Sequence, residues 1–267
     1  MFAVGPHRFS RMDARKTFVH LDALWGQLTE GRDESVAAPV AAALASTFAA
    51  TLGVPASAPH DDALLDRLGG IAAAALASGS LRDEQVVSLL DAVMSGLAAG
   101  SDALRAAGQL PATVEGSARH LHLSDGGVPK QAREAVEIGF GGVVGDRQKT
   151  RLHHGRPWQA LCIWSAEVIE ALRAEGHPVT PGAAGENITV AGLEWADVRA
   201  GVRLRIGTAL AQASVFALPC RNIAFSFLDR DMGRIHHERG PVSRVYATVL
   251  EPGHVSAGDP VVLEPAP

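Results

Sequence analysis

The chain has 267 residues, of which 20% are charged and 47% hydrophobic, with a formal net charge of −5 and a pI near 6.1. That composition suits one large or two small globular domains and excludes collagen-like, disordered and disulfide-framework proteins. The acidic balance leaves no general nucleic-acid footprint, and two cysteines in so long a chain point to a reducing compartment.

The first residues, MFAVGPHRFSRMDARKTF, are broken by charges before an apolar stretch can build, so no secretory signal is expected. Ser35 to Pro59 carry no charge, yet their apolar residues are mostly Ala, and Pro39, Ser46, Thr47, Thr51 and Gly53 interrupt them. A membrane span needs about 20 strongly apolar residues, so the stretch reads as a buried soluble helix and the protein as cytoplasmic, without membrane association.

Helical spacing runs through residues 13–107. Phe18, Leu21, Trp25 and Leu28 form one apolar stripe, Leu64, Leu65, Leu68 and Ile71 a second, and Val86, Leu89, Leu90, Val93 and Leu97 a third. Asp61 and Asp62 suit a helix N-terminus, and Ser80 suits a cap. The expectation is a small antiparallel bundle of about four helices. Residues 108–118, GQLPATVEGSA, carry breakers and little periodicity, so the domain boundary falls there: a helical domain over 1–112 and a second domain over 113–267.

Beyond the boundary the pattern turns to strands. Leu121 and Leu123 alternate with His120 and His122, and ALCIW (160–164), VRLRI (202–206), ASVFAL (213–218) and RVYATVL (244–250) are short apolar strands. One helix interrupts them, SAEVIEALRAEG (165–176), with Ser165 as N-cap, Val168, Ile169 and Leu172 facing inward, and Gly176 as its stop. The expected fold is α+β: a helical bundle followed by a β-rich, barrel-like domain.

Four segments carry chemistry. Cys220, in FALPCRNI, lies where a strand exits into a loop, where a thiolate can act as nucleophile, sulfur carrier or soft metal ligand; Arg221 places a positive charge beside it. Cys162 lies inside an apolar strand and reads as structural. In GDRQKTRLHHGRP (145–157), Arg147, Lys149 and Arg151 share one face of an extended chain and form a cation row suited to a phosphate. His153 and His154 follow, pointing opposite ways. In PGAAGENITV (181–190), glycines suggest a tight turn feeding a strand, Glu186 is a candidate general base, and Asn187 a residue that fixes the loop through backbone hydrogen bonds. His236, His237 and Glu238 fit no standard zinc spacing and read as a surface loop. No Walker loop, GxSxG, HExxH or CxxC occurs.

Taken in order, LSDGGVPK, GDRQ…HHG, ALCIWSAEVIEALRAEGHP, PGAAGENITV, LRIGTA and LPC resemble the MOSC domain, the module at the C-terminus of molybdenum-cofactor sulfurases and in stand-alone bacterial proteins. The resemblance covers about residues 118–265. It implies a β-rich barrel with a pocket around Cys220, which would ligate molybdenum or carry a persulfide. Cys220, Glu186 and His154 are then the catalytic candidates. Arg147, Lys149, Arg151, His153, Asn187 and Arg221 are the candidates for holding molybdenum cofactor and its pterin phosphate. The activity implied is reduction of N-hydroxylated small molecules, with electrons from an external donor protein and a homodimer as a possible assembly. The alternatives are a persulfide sulfur-transfer protein and a non-catalytic ligand- or partner-binding module. Two departures from the family pattern stand out: Arg156 follows HHG where many relatives have Gly, and Arg221 follows Pro-Cys where many have Lys.

Overall fold

In the computed structural model, residues 114–148, 154 and 156–264 are described, with Ala103, Ala106 and Ala107 before them. The helical bundle expected over 13–107 lies outside the described residues, as do Lys149, Arg151 and His153. The described residues from 114 to 264 belong to one compact unit, and it is built mainly of strands.

Eleven strands run in chain order: β1 (Val114–Leu123), β2 (Gln131–Arg133), β3 (Ala135–Gly139), β4 (Gly142–Val143), β5 (Leu161–Ser165), β6 (Ile188–Ala191), β7 (Arg203–Ile206), β8 (Ala209–Phe216), β9 (Val245–Glu251), β10 (Gly253–Ser256) and β11 (Pro260–Leu263). The main sheet has the order β11-β7-β8-β9-β5-β6-β1-β2, and β11 also pairs with β1. Seven strands therefore close into a barrel, and β2 shares the β11 edge of β1 at its far end. Closure removes the open edges that a sheet would otherwise present. Strands β10, β3 and β4 form a small second sheet. The expected strands all appear, those over 160–164, 202–206, 213–218 and 244–250 with ends shifted by at most four residues, β1 reaching back to Val114, and the GENITV segment feeds β6.

Alternation explains the barrel's inside. In β7, Leu204 and Ile206 are buried while Arg203 and Arg205 are half-buried. β5 is buried along its whole length, because it lies between β6 and β9 and one face is covered by the helix that follows it. That helix, α1 (Ala166–Ala174), is the crossover linking β5 to β6, the parallel pair. The Ser165 hydroxyl accepts the Val168 N–H at 3.2 Å, as a cap should. Ala166, Ile169 and Leu172 are buried, whereas Val168 is half-buried. The helix ends in a Schellman motif: Gly176 N–H donates to Arg173 O and His177 N–H to Leu172 O, with Gly176 at φ 93°. Trp158 and Trp164 are fully buried in the core. Among the described residues, no helix is long and apolar enough to cross a membrane.

Candidate functional site

The GENITV turn is locked from several sides. Gly182 sits at φ 82°, and a Cβ there would lie 2.8 Å from both His122 Cδ2 and Lys130 O, so only glycine fits. Gly182 O accepts the Lys130 N–H at 2.9 Å. The Glu186 side chain curls back so that Oε1 accepts the Gly182 N–H at 2.5 Å and the Thr189 hydroxyl at 3.4 Å. Its other oxygen, Oε2, is buried with no hydrogen-bond partner. Burial pushes the Glu186 carboxyl up, against the opposing pull of its hydrogen bonds and of the Arg244 charge. The site thus shifts Glu186 toward its protonated form relative to a carboxyl in water.

Asn187 fixes the turn to its neighbours, as its residue type implies. Its Nδ2 donates to His122 O at 3.3 Å and to Asp146 Oδ2 at 3.0 Å, and its Oδ1 accepts the Cys162 N–H at 3.2 Å. Its main chain bonds Cys162 O and the His122 N–H, each at 2.7 Å. One side chain thus ties β1, β5 and the Asp146 turn to the start of β6. Asp146 also accepts the Ser124 N–H at 2.8 Å and pairs with Lys130, both side chains being buried. A buried carboxylate with three donors is fully satisfied, and such a network is rigid.

Cys220 lies between β8 and a short 3-10 turn, Arg221–Ser226, which it caps; its carbonyl accepts the Ile223 N–H at 3.1 Å. Its thiol is free and half-buried. Arg221 beside it is exposed. The other thiol, Cys162, is buried in β5, where loss of solvation pushes it up to about 11. It is an inert core residue, as expected.

The residue that joins the two motif segments is Arg244, which sequence reading passes over. It is buried at 5% exposure. One guanidinium nitrogen bonds Ala184 O in the GENITV turn; another reaches Leu218 O at 3.3 Å and Ala217 O at 3.5 Å, just before Cys220. Arg244 makes no ion pair among the described residues. The signal was present: a charge opening the apolar strand RVYATVL has to find buried acceptors. Tyr246, two residues on, faces the same region. Burial pushes its hydroxyl up, as do the nearby Cys162 and Cys220. The hydroxyl lies 3.3 Å from His154 Nδ1, so the second histidine of HHG reaches the barrel wall.

The remaining candidates are scattered. Arg147 is exposed and pairs with Asp125 at 2.8 Å, at the end of a bridge between residues 125 and 147. Arg156 is fully buried, with its Cζ 5.9 Å from the Trp158 ring centre and Nη1 3.4 Å from Gln159 Oε1. Its guanidinium is thus packed inside the fold rather than presented to solvent. His122 is a further polar group missed in sequence. Its ring is buried, Nδ1 has no hydrogen-bond partner, and burial, aided by His120 and Lys130, lowers it to about 4.

The MOSC domain family matches residues 150–262. The chain is 32% identical over 149 residues to the uncharacterized protein YflK of Bacillus subtilis, covering 55% of this chain and 66% of that one. It is 33% identical over 130 residues to protein YiiM of Escherichia coli, covering 46% of this chain and 56% of that one. The chain thus spans less than two thirds of each curated relative. Among solved structures, YiiM from Geobacillus stearothermophilus is 25% identical with a TM-score of 0.45, covering 56% of this chain and 75% of that one.

Proposed function

This chain belongs to the MOSC domain family, and from that premise we propose that it binds molybdenum cofactor through Cys220 and reduces N-hydroxylated small molecules. The observation that carries the reading is the Arg244 clamp. A single buried guanidinium bonds both the turn before Glu186 and the carbonyls before Cys220, so the two motif segments act as one rigid unit.

The residues fit such a cofactor. Cys220 is a free, half-buried thiol able to serve as ligand. Glu186 Oε2, on the turn that Arg244 ties to the thiol's segment, and His122 Nδ1, on β1, are buried polar atoms short of a partner. Arg221 offers exposed positive charge next to the thiol for a phosphate. Arg147, Lys149, Arg151 and His153 are the further candidates for that phosphate. The choice of molybdenum rests on the family, not on ligand softness.

When bound, the cofactor supplies the two-electron chemistry of oxygen-atom removal. The net change is cleavage of N–O and formation of N–H, taking up two electrons and two protons and releasing water. The electrons come from an external donor protein. Cys220 holds the cofactor, and Asn187 and Arg244 keep its surroundings from rearranging. Glu186, held toward its protonated form, stores a proton rather than removing one. His154, against the Tyr246 hydroxyl, is the candidate for exchanging protons with solvent.

The test is the molybdenum and pterin content of the full chain purified from a host that makes the cofactor, beside Cys220→Ser. About one of each per chain, lost in the variant, supports the reading; reduction of N-hydroxylated compounds with a chemical reductant then tests the activity. Folded protein with neither group refutes cofactor binding. An added sulfur on Cys220, seen by mass spectrometry in such protein, would identify a sulfur carrier instead.

A further inference from the structure

The loop between β8 and β9 gathers three ligand-bearing side chains that the reading above does not use. His236, His237 and Glu238 each offer one metal-ligating atom, and the three atoms lie within 4.8 Å of one another. Consecutive residues on an extended strand would point to opposite sides. Here the chain turns: His236 is the extended residue that caps a 3-10 turn over His237–Arg239. The turn brings both imidazoles to one side, stacked with ring centres 4.5 Å apart at 28°. Phe216, at the end of β8, stacks on His237 at 5.4 Å and 12°, which holds that ring from the barrel side.

The electrostatics favour a cation. His236 Nδ1 lies 3.4 Å from the Glu238 N–H, a long contact that a ligated metal ion could replace. The same nitrogen lies 3.5 Å from Glu238 Oε2. An imidazole lone pair and a carboxylate oxygen facing each other repel unless a proton or a metal ion lies between them. Two ligands bound at about 2.1 Å in tetrahedral geometry sit about 3.4 Å apart, close to this separation. The neighbouring arginines are held by other carboxylates, Arg234 by Asp229 and Arg239 by Asp231 at 3.9 Å.

We propose that His236, His237 and Glu238 bind one late first-row divalent cation, of the zinc, nickel or copper class, with water completing its coordination. Two imidazoles and a carboxylate match the donor preference of these ions and not that of calcium or magnesium, which take oxygen ligands. Three protein ligands leave a position open. The site is independent of Cys220 and of the cofactor proposal.

The experiment is equilibrium binding of zinc ion to the metal-free full chain carrying Cys220→Ser, so that the thiol cannot compete. One zinc per chain at micromolar concentration is expected. Adding His236→Gln and His237→Gln should abolish binding, and Glu238→Gln should weaken it by about tenfold or more. Cobalt(II) as a second probe should shift the ring protons of two histidines in the NMR spectrum, a readout independent of protein stability. Absence of zinc binding, or one zinc still held by the folded double histidine variant, overturns the proposal.

Discussion

Arg244→Ala should destabilise the barrel and loosen the segment leading to Cys220 at once. The substitution removes the guanidinium bonds to the carbonyls of Ala184, Ala217 and Leu218, of which Ala217 O keeps the Ser243 hydroxyl at 3.3 Å. A hydrogen bond to a charged donor contributes about 1.5–3 kcal/mol, and an orphaned buried acceptor costs about 1–3 kcal/mol. Two of the three contacts are long, at 3.3 and 3.5 Å, and count for little. The variant also relieves the desolvation of a buried cation, which offsets several kcal/mol. The net is set by the Ala184 bond and the lost side-chain volume, and we expect a loss of about 2–4 kcal/mol. That corresponds to a fall in Tm of roughly 4–16 °C for a domain of this size. Arg244→Met, which keeps volume without charge, should lose less than Arg244→Ala. Urea unfolding followed by tryptophan fluorescence measures this well, because Trp158, Trp164 and Trp195 are all buried in the barrel. Alkylation of Cys220 should be faster in Arg244→Ala than in the parent, because the carbonyls before it have lost their anchor. A variant within about 0.5 kcal/mol of the parent, with unchanged alkylation, would refute the clamp.

The two cysteines should separate cleanly in native alkylation followed by mass spectrometry. Cys220 takes one label at neutral pH, while Cys162, buried and pushed up to about 11, labels only in denaturant; equal labelling of both would contradict the packing of β5. Glu186→Gln should be nearly neutral in stability near pH 5 and gain on the parent as pH rises. The folded carboxyl lies above its ordinary value, so the native state binds more protons than the unfolded chain. Its contribution is full below the unfolded value and is lost as pH rises through the folded one; parallel stability–pH curves for the two proteins would refute a protonated Glu186. His122 behaves oppositely. Lowered to about 4, it contributes stability above its ordinary value near 6.5 that is lost as pH falls toward 4, so His122→Gln should flatten the acid limb of the Tm–pH curve. Gly182→Ala meets His122 and Lys130 O at a positive φ, and should lose about 1–3 kcal/mol in the same urea assay.

Local signals determined much of this protein before any tertiary contact is considered. Alternating apolar residues marked β7 and β9, and Ser165 and Gly176 bracketed α1, because periodicity, capping and the freedom of glycine act over a few residues. The pairing of GENITV with the downstream Pro-Cys pointed to the family. A barrel-like domain was expected, but which strands close it was not legible, since closure depends on β11 returning to β1 across nearly the whole domain. Short pieces such as Gly142–Val143 carry too few residues to show a period. Arg244 looked like the first residue of a strand, and only the fold decides that its acceptors are carbonyls 60 and 26 positions away. Glu186 reads as a candidate base by residue type, and its burial, which pushes the carboxyl up, is visible only in the fold. His236 and His237 look like a plain surface pair until the turn at His236 and the face of Phe216 bring their rings together. In each case the chemistry belongs to the residue, but its solvation and partners come from segments distant in the chain, and those are set by packing.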